Sequence, residues 1–180
     1  MNILAISGSL RKQSSNSALL KSIIAMAPSD MTFITYNGLG ELPHFNPDID
    51  VDDGPEAVMA WRSQLNTADG VLICTPEFGN GVPGSLKNAL DWIVSSGELM
   101  DKPTAVVTAS PTLMGGDKAF ESILLTLKMI NTQIVEGAAL KIPQINLKMD
   151  KEGNITNAEL KQELLLLLEH LKEASQHVLK

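Results

Sequence analysis

A single cysteine in 180 residues, Cys74, excludes a disulfide framework and a cysteine-built metal site. It sits in an apolar run with no histidine near it in sequence, which reads as core packing. The three histidines, His44, His170 and His177, are scattered at no metal-ligand spacing, and no G-x-S-x-G elbow follows any apolar run to support Ser/His/Asp catalysis. The longest apolar runs fall far short of the ~18–20 residues that would cross a bilayer. The opening "MNILAIS" has neither the basic lead-in nor the long apolar core of a signal peptide. These absences lead to the expectation of a cytoplasmic protein with no membrane partner. Positive charge is short too: 14 Lys and Arg face 21 Asp and Glu, a formal net charge of −7. General nucleic-acid binding needs a basic face that displaces counterions, so it is not expected here.

One absence is local. Residues 1–29 hold Arg11, Lys12 and Lys21 but no acid, so that segment is +3 and the remainder carries −10. A positive patch inside an acidic protein suits a small bound anion better than a polymer.

What is present reads as one domain over residues 1–180, long enough to bury ~70% of the surface of its unfolded chain. "NILAIS" (2–7), "GVLICTP" (70–76) and "TAVVTAS" (104–110) are continuous apolar runs of the kind found in strands covered on both faces. "MTFITY" (31–36) alternates as a second strand, and 133–143 should contain a fifth. Helical spacing appears over 17–27, 55–66, from Pro83 to Ile93, from Phe120 to Ile130, and over 157–179. Residues 37–54 form an unusually long loop, and such loops are often functional. Strands alternating with helices give an α/β fold, a three-layer doubly wound parallel sheet with right-handed crossovers.

In such sheets ligands bind beyond the carboxyl ends of the strands. The connections there, "GSLRKQSSN" (8–16) running on to Ser17, "PEFGNGVPG" (76–84) and "SPTLMGG" (110–116), are the richest in Gly, Ser, Pro and Asn, and should converge on one rim. The first offers hydroxyls, Asn16, free N–H groups at a helix start and Arg11, which can grip two oxygens at once. Together these suit a phosphate; a plain helix cap would need only one or two such residues. The Walker pattern and the dinucleotide fingerprint both demand glycines that are missing, since only Gly8 is there. A hydroxyl-rich loop with few glycines points to a monophosphate. In the second connection Phe78 can cover an aromatic ring, while Gly79 and Gly81 let backbone N–H groups come close to it.

These three segments resemble the flavin-contacting segments of the NADPH-dependent FMN reductase family, which includes chromate and quinone reductases. The resemblance covers about residues 1–145 and implies a flavodoxin-like fold with five strands in the order 2-1-3-4-5. It implies that Ser9, Arg11, Ser14, Ser15, Asn16 and Ser17 hold the FMN phosphate. Pro76, Glu77, Phe78, Gly79, Asn80 and Gly81 would lie along the ring, with Ser110, Gly115 and Gly116 at its other side. Two positions depart from the family pattern: Gly79 stands where Asn is usual, and Thr112 where glycine is common. The expected activity is hydride transfer from NADPH or NADH to FMN and then, by ping-pong kinetics, to a quinone, chromate, azo or nitro compound or free flavin. The alternatives are a flavodoxin-type electron carrier and a flavin-free regulatory domain. Glu77, an odd neighbour for an anionic reduced ring, should turn away or bind backbone. The resemblance also implies a homodimer or homotetramer; Trp92 reads equally as an interface anchor and as a core residue.

Overall fold

The computed structural model describes residues 1–178. Five strands, β1 (Asn2–Ser7), β2 (Thr32–Tyr36), β3 (Gly70–Thr75), β4 (Pro103–Ala109) and β5 (Gln133–Ile142), form one parallel sheet in the order β2-β1-β3-β4-β5. Every residue of β3 and β4 is buried, which is why those stretches carry no polar alternation. Edge strand β2 keeps only Tyr36 fully inside, its other four residues being exposed or half-buried.

Helices α1 (Ser15–Ala25), α2 (Glu56–Thr67), α3 (Gly84–Asp91), α4 (Asp117–Met129) and α6 (Ala158–Val178) cover the two faces, with a single turn α5 (Ile145–Lys148) after β5. The sheet separates two cores. Leu4, Ile6, Val71 and Ile73 pack with Trp61, Leu65, Leu86, Leu90 and Ile123 from α2, α3 and α4. Ile3, Ala5, Leu72, Cys74 and Val107 pack with Leu19 and Ile23 of α1 and Leu160, Leu164, Leu167 and Leu171 of α6. None of the helices among the described residues is long and apolar enough to cross a membrane.

Element limits differ from the sequence reading by up to three residues, the largest shift being α4, which begins at Asp117 and not Phe120. α1 begins at Ser15 rather than Ser17 because the Ser14 hydroxyl accepts the Ser17 N–H at 3.3 Å, placing the cap earlier. Pro55 is the cap before α2, not its first residue. The last position expected for the C-terminal helix, residue 179, lies outside the described residues.

The long 37–54 connection is strapped down. Pro43 O accepts the Asn88 side-chain amide at 2.9 Å and the Trp92 indole N–H at 2.8 Å, while Asn88 Oδ1 accepts the Phe45 N–H at 2.8 Å. Phe45 meets the Trp92 ring edge-on at a centroid distance of 5.1 Å. Arg62 bridges Asp50 at 2.6 Å and the Trp92 carbonyl at 2.6 Å. Trp92 is therefore wholly inside the protomer, and of its two readings the core one holds.

Candidate functional site

The topological switch lies between β1 and β3, whose connections leave the sheet in opposite directions around it. There the chain comes very close: Gly8 N–H donates to Cys74 O at 2.8 Å, and a Cβ on Gly8 would sit 2.2 Å from Thr75 Oγ1. Only glycine fits, so the first connection starts pressed against the end of β3.

Within that connection the hydroxyls largely serve one another. Ser7 and Ser17 share a hydrogen bond of 2.7 Å, and Ser9 Oγ accepts the Arg11 N–H at 3.3 Å. Ser14, 7% exposed, is the helix cap, so its oxygen is engaged while its hydrogen can still point outward. Asn16 is 2% exposed, and its amide turns inward to donate to Ala109 O at 3.0 Å. The Cys74 thiol donates to Asn16 O at 3.3 Å. Burial raises that thiol's pKa far above its ordinary value, so it is an inert neutral donor. What the segment offers outward is different from a row of side-chain amides. The N–H groups of Ser15 and Asn16 have no acceptor among the described residues, and neither does the exposed Arg11 guanidinium.

The second connection is a tight turn. Phe78 N–H donates to Gly81 O at 3.1 Å and Gly81 N–H to Phe78 O at 3.2 Å, with Gly79 and Asn80 between them at φ 56° and 59°. Two successive left-handed residues are what such a hairpin requires, which accounts for Gly79-Asn80 at this point. The turn engages the Gly81 N–H, while those of Gly79 and Asn80 have no acceptor among the described residues. Phe78 stands 48% exposed at the rim. Glu77 behaves as anticipated: its Oε2 accepts the N–H groups of Lys118 at 2.8 Å and Ala119 at 3.0 Å. Gly116 caps α4 with no side chain of its own, so Glu77, 41 positions before Lys118, supplies the missing acceptor.

The third connection closes the rim. Thr108 Oγ1 donates to Gly115 O at 3.0 Å, and Ser110 O accepts the Ile145 N–H at 3.1 Å. Thr112, where glycine is common in the family, pairs its hydroxyl with Ser110 Oγ at 2.8 Å and donates its N–H to that same oxygen at 3.1 Å. Leu113 and Met114 are 75% and 61% exposed. The three segments are thus mutually tied: the first to β4 through Asn16–Ala109, the second to α4 through Glu77. Sequence reasoning missed three supports: Thr75, packed against Gly8, Thr108, bonded to Gly115 O, and Gln144, whose N–H donates to Thr112 O at 3.0 Å; a polar residue at or next to the end of a buried strand is the signal that marks the first two.

A model of NADPH-dependent FMN reductases matches residues 1–146. The chain belongs to that family. It is accordingly an oxidoreductase whose cofactor is FMN and whose electron donor is a reduced nicotinamide. A 2-hydroxy-1,4-benzoquinone reductase from a Burkholderia species is 32% identical over 167 residues, spanning 91% of this chain and 90% of its own. An NADPH:quinone oxidoreductase from Arabidopsis thaliana is 34% identical over 179 residues, with coverages of 93% and 90%. Among solved structures, FerB, a flavoenzyme NAD(P)H:(acceptor) oxidoreductase from Paracoccus denitrificans, superposes with a TM-score of 0.87 at 27% identity, over 98% of this chain and 97% of that one.

The donor set of this reductase fits FMN. A phosphate monoester needs hydrogen-bond donors and positive charge without nearby acids. The α1 start supplies two unpaired N–H groups, the Arg11 guanidinium and hydroxyl hydrogens in an acid-free segment. Space for a planar group is open above the second turn, where a Cβ on Gly79 would meet nothing within 4 Å.

Proposed function

We propose that the chain acts over its whole length as one FMN-binding domain that oxidises NADPH or NADH and reduces a quinone-class acceptor. Chromate, azo and nitro compounds and free flavin are further substrates of the same opening. The carrying observation is the acid-free start of α1, with its two unpaired N–H groups and unpaired Arg11, tied by Asn16 to the rim that holds the other two connections. FMN, when bound there, would supply two-electron redox chemistry. This chain's own residues bind and orient. Arg11, Ser9, Ser17 and the backbone of Ser14, Ser15 and Asn16 hold the phosphate. Pro76, Glu77, Phe78, Gly79, Asn80 and Gly81 flank the ring, Phe78 with its exposed face and Gly79 and Asn80 with their N–H groups. Ser110, Gly115 and Gly116 border the other side.

One opening serves donor and acceptor in turn, so the kinetics are ping-pong. The exposed apolar side chains of Phe78, Leu113 and Met114 favour a flat apolar acceptor such as a quinone. A homodimer or homotetramer in the cytoplasm, with the helices beside the second connection in its interface, completes the reading.

The test is direct. Purified protein should be yellow, bleach on anaerobic addition of NADPH and recover colour with a quinone, giving parallel double-reciprocal lines. A colourless protein that takes up no FMN would overturn the proposal, and a yellow one that NADPH leaves unbleached would make it an electron carrier instead. Arg11→Ala should weaken FMN binding by more than about tenfold while leaving riboflavin binding nearly unchanged, since only the phosphate contact is lost.

A further inference from the structure

We propose that Thr112 sets acceptor specificity: its hydroxyl locks a lip carrying Leu113 and Met114, which selects broad, flat, apolar acceptors over compact hydrophilic ones. The inference deepens, and rests on, the reading of this opening as the acceptor site of a quinone-class reductase. Thr112 engages three of its groups within the protein. Its hydroxyl pairs with Ser110 Oγ at 2.8 Å, its N–H donates to the same oxygen at 3.1 Å, and its carbonyl accepts the Gln144 N–H at 3.0 Å. Ser110 is itself fixed, donating its N–H to Ile142 O at 3.2 Å and accepting the Ile145 N–H at 3.1 Å. Thr112 is thereby one post of the lip, anchored to the chain that leaves β5.

Gly115 is the other post. Thr108 Oγ1 donates to its carbonyl at 3.0 Å, and a Cβ there would lie 3.0 Å from Pro143 N. Between the posts, the N–H groups of Leu113 and Met114 have no acceptor among the described residues, so the segment is held from its ends. Its two side chains stand 75% and 61% exposed. Large apolar side chains grouped in water mark a surface that a ligand covers. The lip is joined to the turn that bears Phe78: a Cβ on Gly116 would lie 3.7 Å from Glu77 Cβ, and Glu77 Oε2 accepts two N–H groups at the start of α4. Phe78, Leu113 and Met114 therefore border one opening. Apolar contact rewards buried area and not charge, so a two-ring quinone gains from all three and a hydrated anion from none. A lip fixed beforehand loses no freedom when the acceptor arrives. Of the bonds at the Thr112 post, only the hydroxyl one depends on the side chain.

Calorimetric titration of the oxidised, FMN-loaded protein with menadione, with no nicotinamide present, reads the lip apart from turnover. Thr112→Val keeps the bulk and loses the hydroxyl; it should bind menadione about tenfold more weakly, and Thr112→Ser should restore the wild-type affinity. In steady state Thr112→Val should raise KM for menadione by the same factor and leave KM for ferricyanide, KM for NADPH and flavin content unchanged. Amide exchange at residues 112–115 should quicken in Thr112→Val and return to the wild-type rate in Thr112→Ser. Menadione affinity unchanged in Thr112→Val, KM rising together for both acceptors, or a serine that restores nothing would overturn the inference. A wild type that holds FMN but is not bleached by NADPH would instead strike the functional reading. Menadione affinity that still depended on the hydroxyl would then leave the lip standing.

Discussion

Asn16 carries the most quantitative expectation. Its carboxamide is 2% exposed and donates to Ala109 O at 3.0 Å, joining the start of α1 to the end of β4. Asn16→Ala removes one buried hydrogen bond, costing about 1 kcal/mol, and takes a donor from a buried carbonyl, costing about 1–2 kcal/mol more. The sum of about 2–3 kcal/mol should lower the melting temperature by roughly 4–12 °C for a chain of this size. Because the backbone N–H of residue 16 survives the substitution, FMN binding should weaken through displacement of the α1 start and not through loss of a ligand atom. Urea unfolding with and without saturating FMN, alongside titrations with FMN and riboflavin, separates the two effects. The apo-protein should show the full stability loss, and affinity should fall for FMN and not for riboflavin. An unchanged urea midpoint would refute the assignment of the amide to an internal tie. A normal midpoint with FMN affinity collapsed would show that the side chain meets the cofactor directly.

The remaining expectations are narrower. Glu77→Ala strips the acceptor from the Lys118 and Ala119 N–H groups and should destabilise by about 1–2 kcal/mol, with Glu77→Gln recovering part of it; equal urea midpoints for wild type and Glu77→Ala would count against the cap. Hydrogen bonding from Ser95, then from Arg62, holds the Asp50 carboxyl below the usual aspartate range. A depressed folded-state pKa means that this stabilisation is complete above the unfolded value of about 3.9 and disappears as pH falls through the folded one. Asp50→Asn should therefore be less stable than wild type by about 1 kcal/mol at neutral pH, with the gap closing below about pH 4. A gap constant down to pH 3 would place its cause elsewhere.

Much of this architecture is legible along the chain, and the particulars show why. The unbroken apolar runs of β1, β3 and β4 mark strands covered on both faces, since only a sheet with helices on each side removes the need for alternation. The polar connections after those strands mark the rim, because parallel strands all end on the same edge of the sheet. The segment before Asp30 stands out by charge alone, with three cations and no acid. Less legible was what each polar residue does there. Internal bonds engage the Asn16 amide and the Gly81 N–H, with partners that no short motif reveals.

The amino-acid order by itself determined the order of strands and main helices and the family, since these follow from periodicities and short motifs that backbone geometry imposes locally. Tertiary structure alone decided that Asn16 binds a carbonyl 93 positions away, that Glu77 caps a helix 41 positions on, and that Trp92 lies within the protomer. Those pairings depend on which strands are neighbours and how far each helix is rotated, quantities that no local pattern encodes. A polar side chain carries the same letter whether it faces solvent, a cofactor or a buried carbonyl, and only the surrounding fold selects among them.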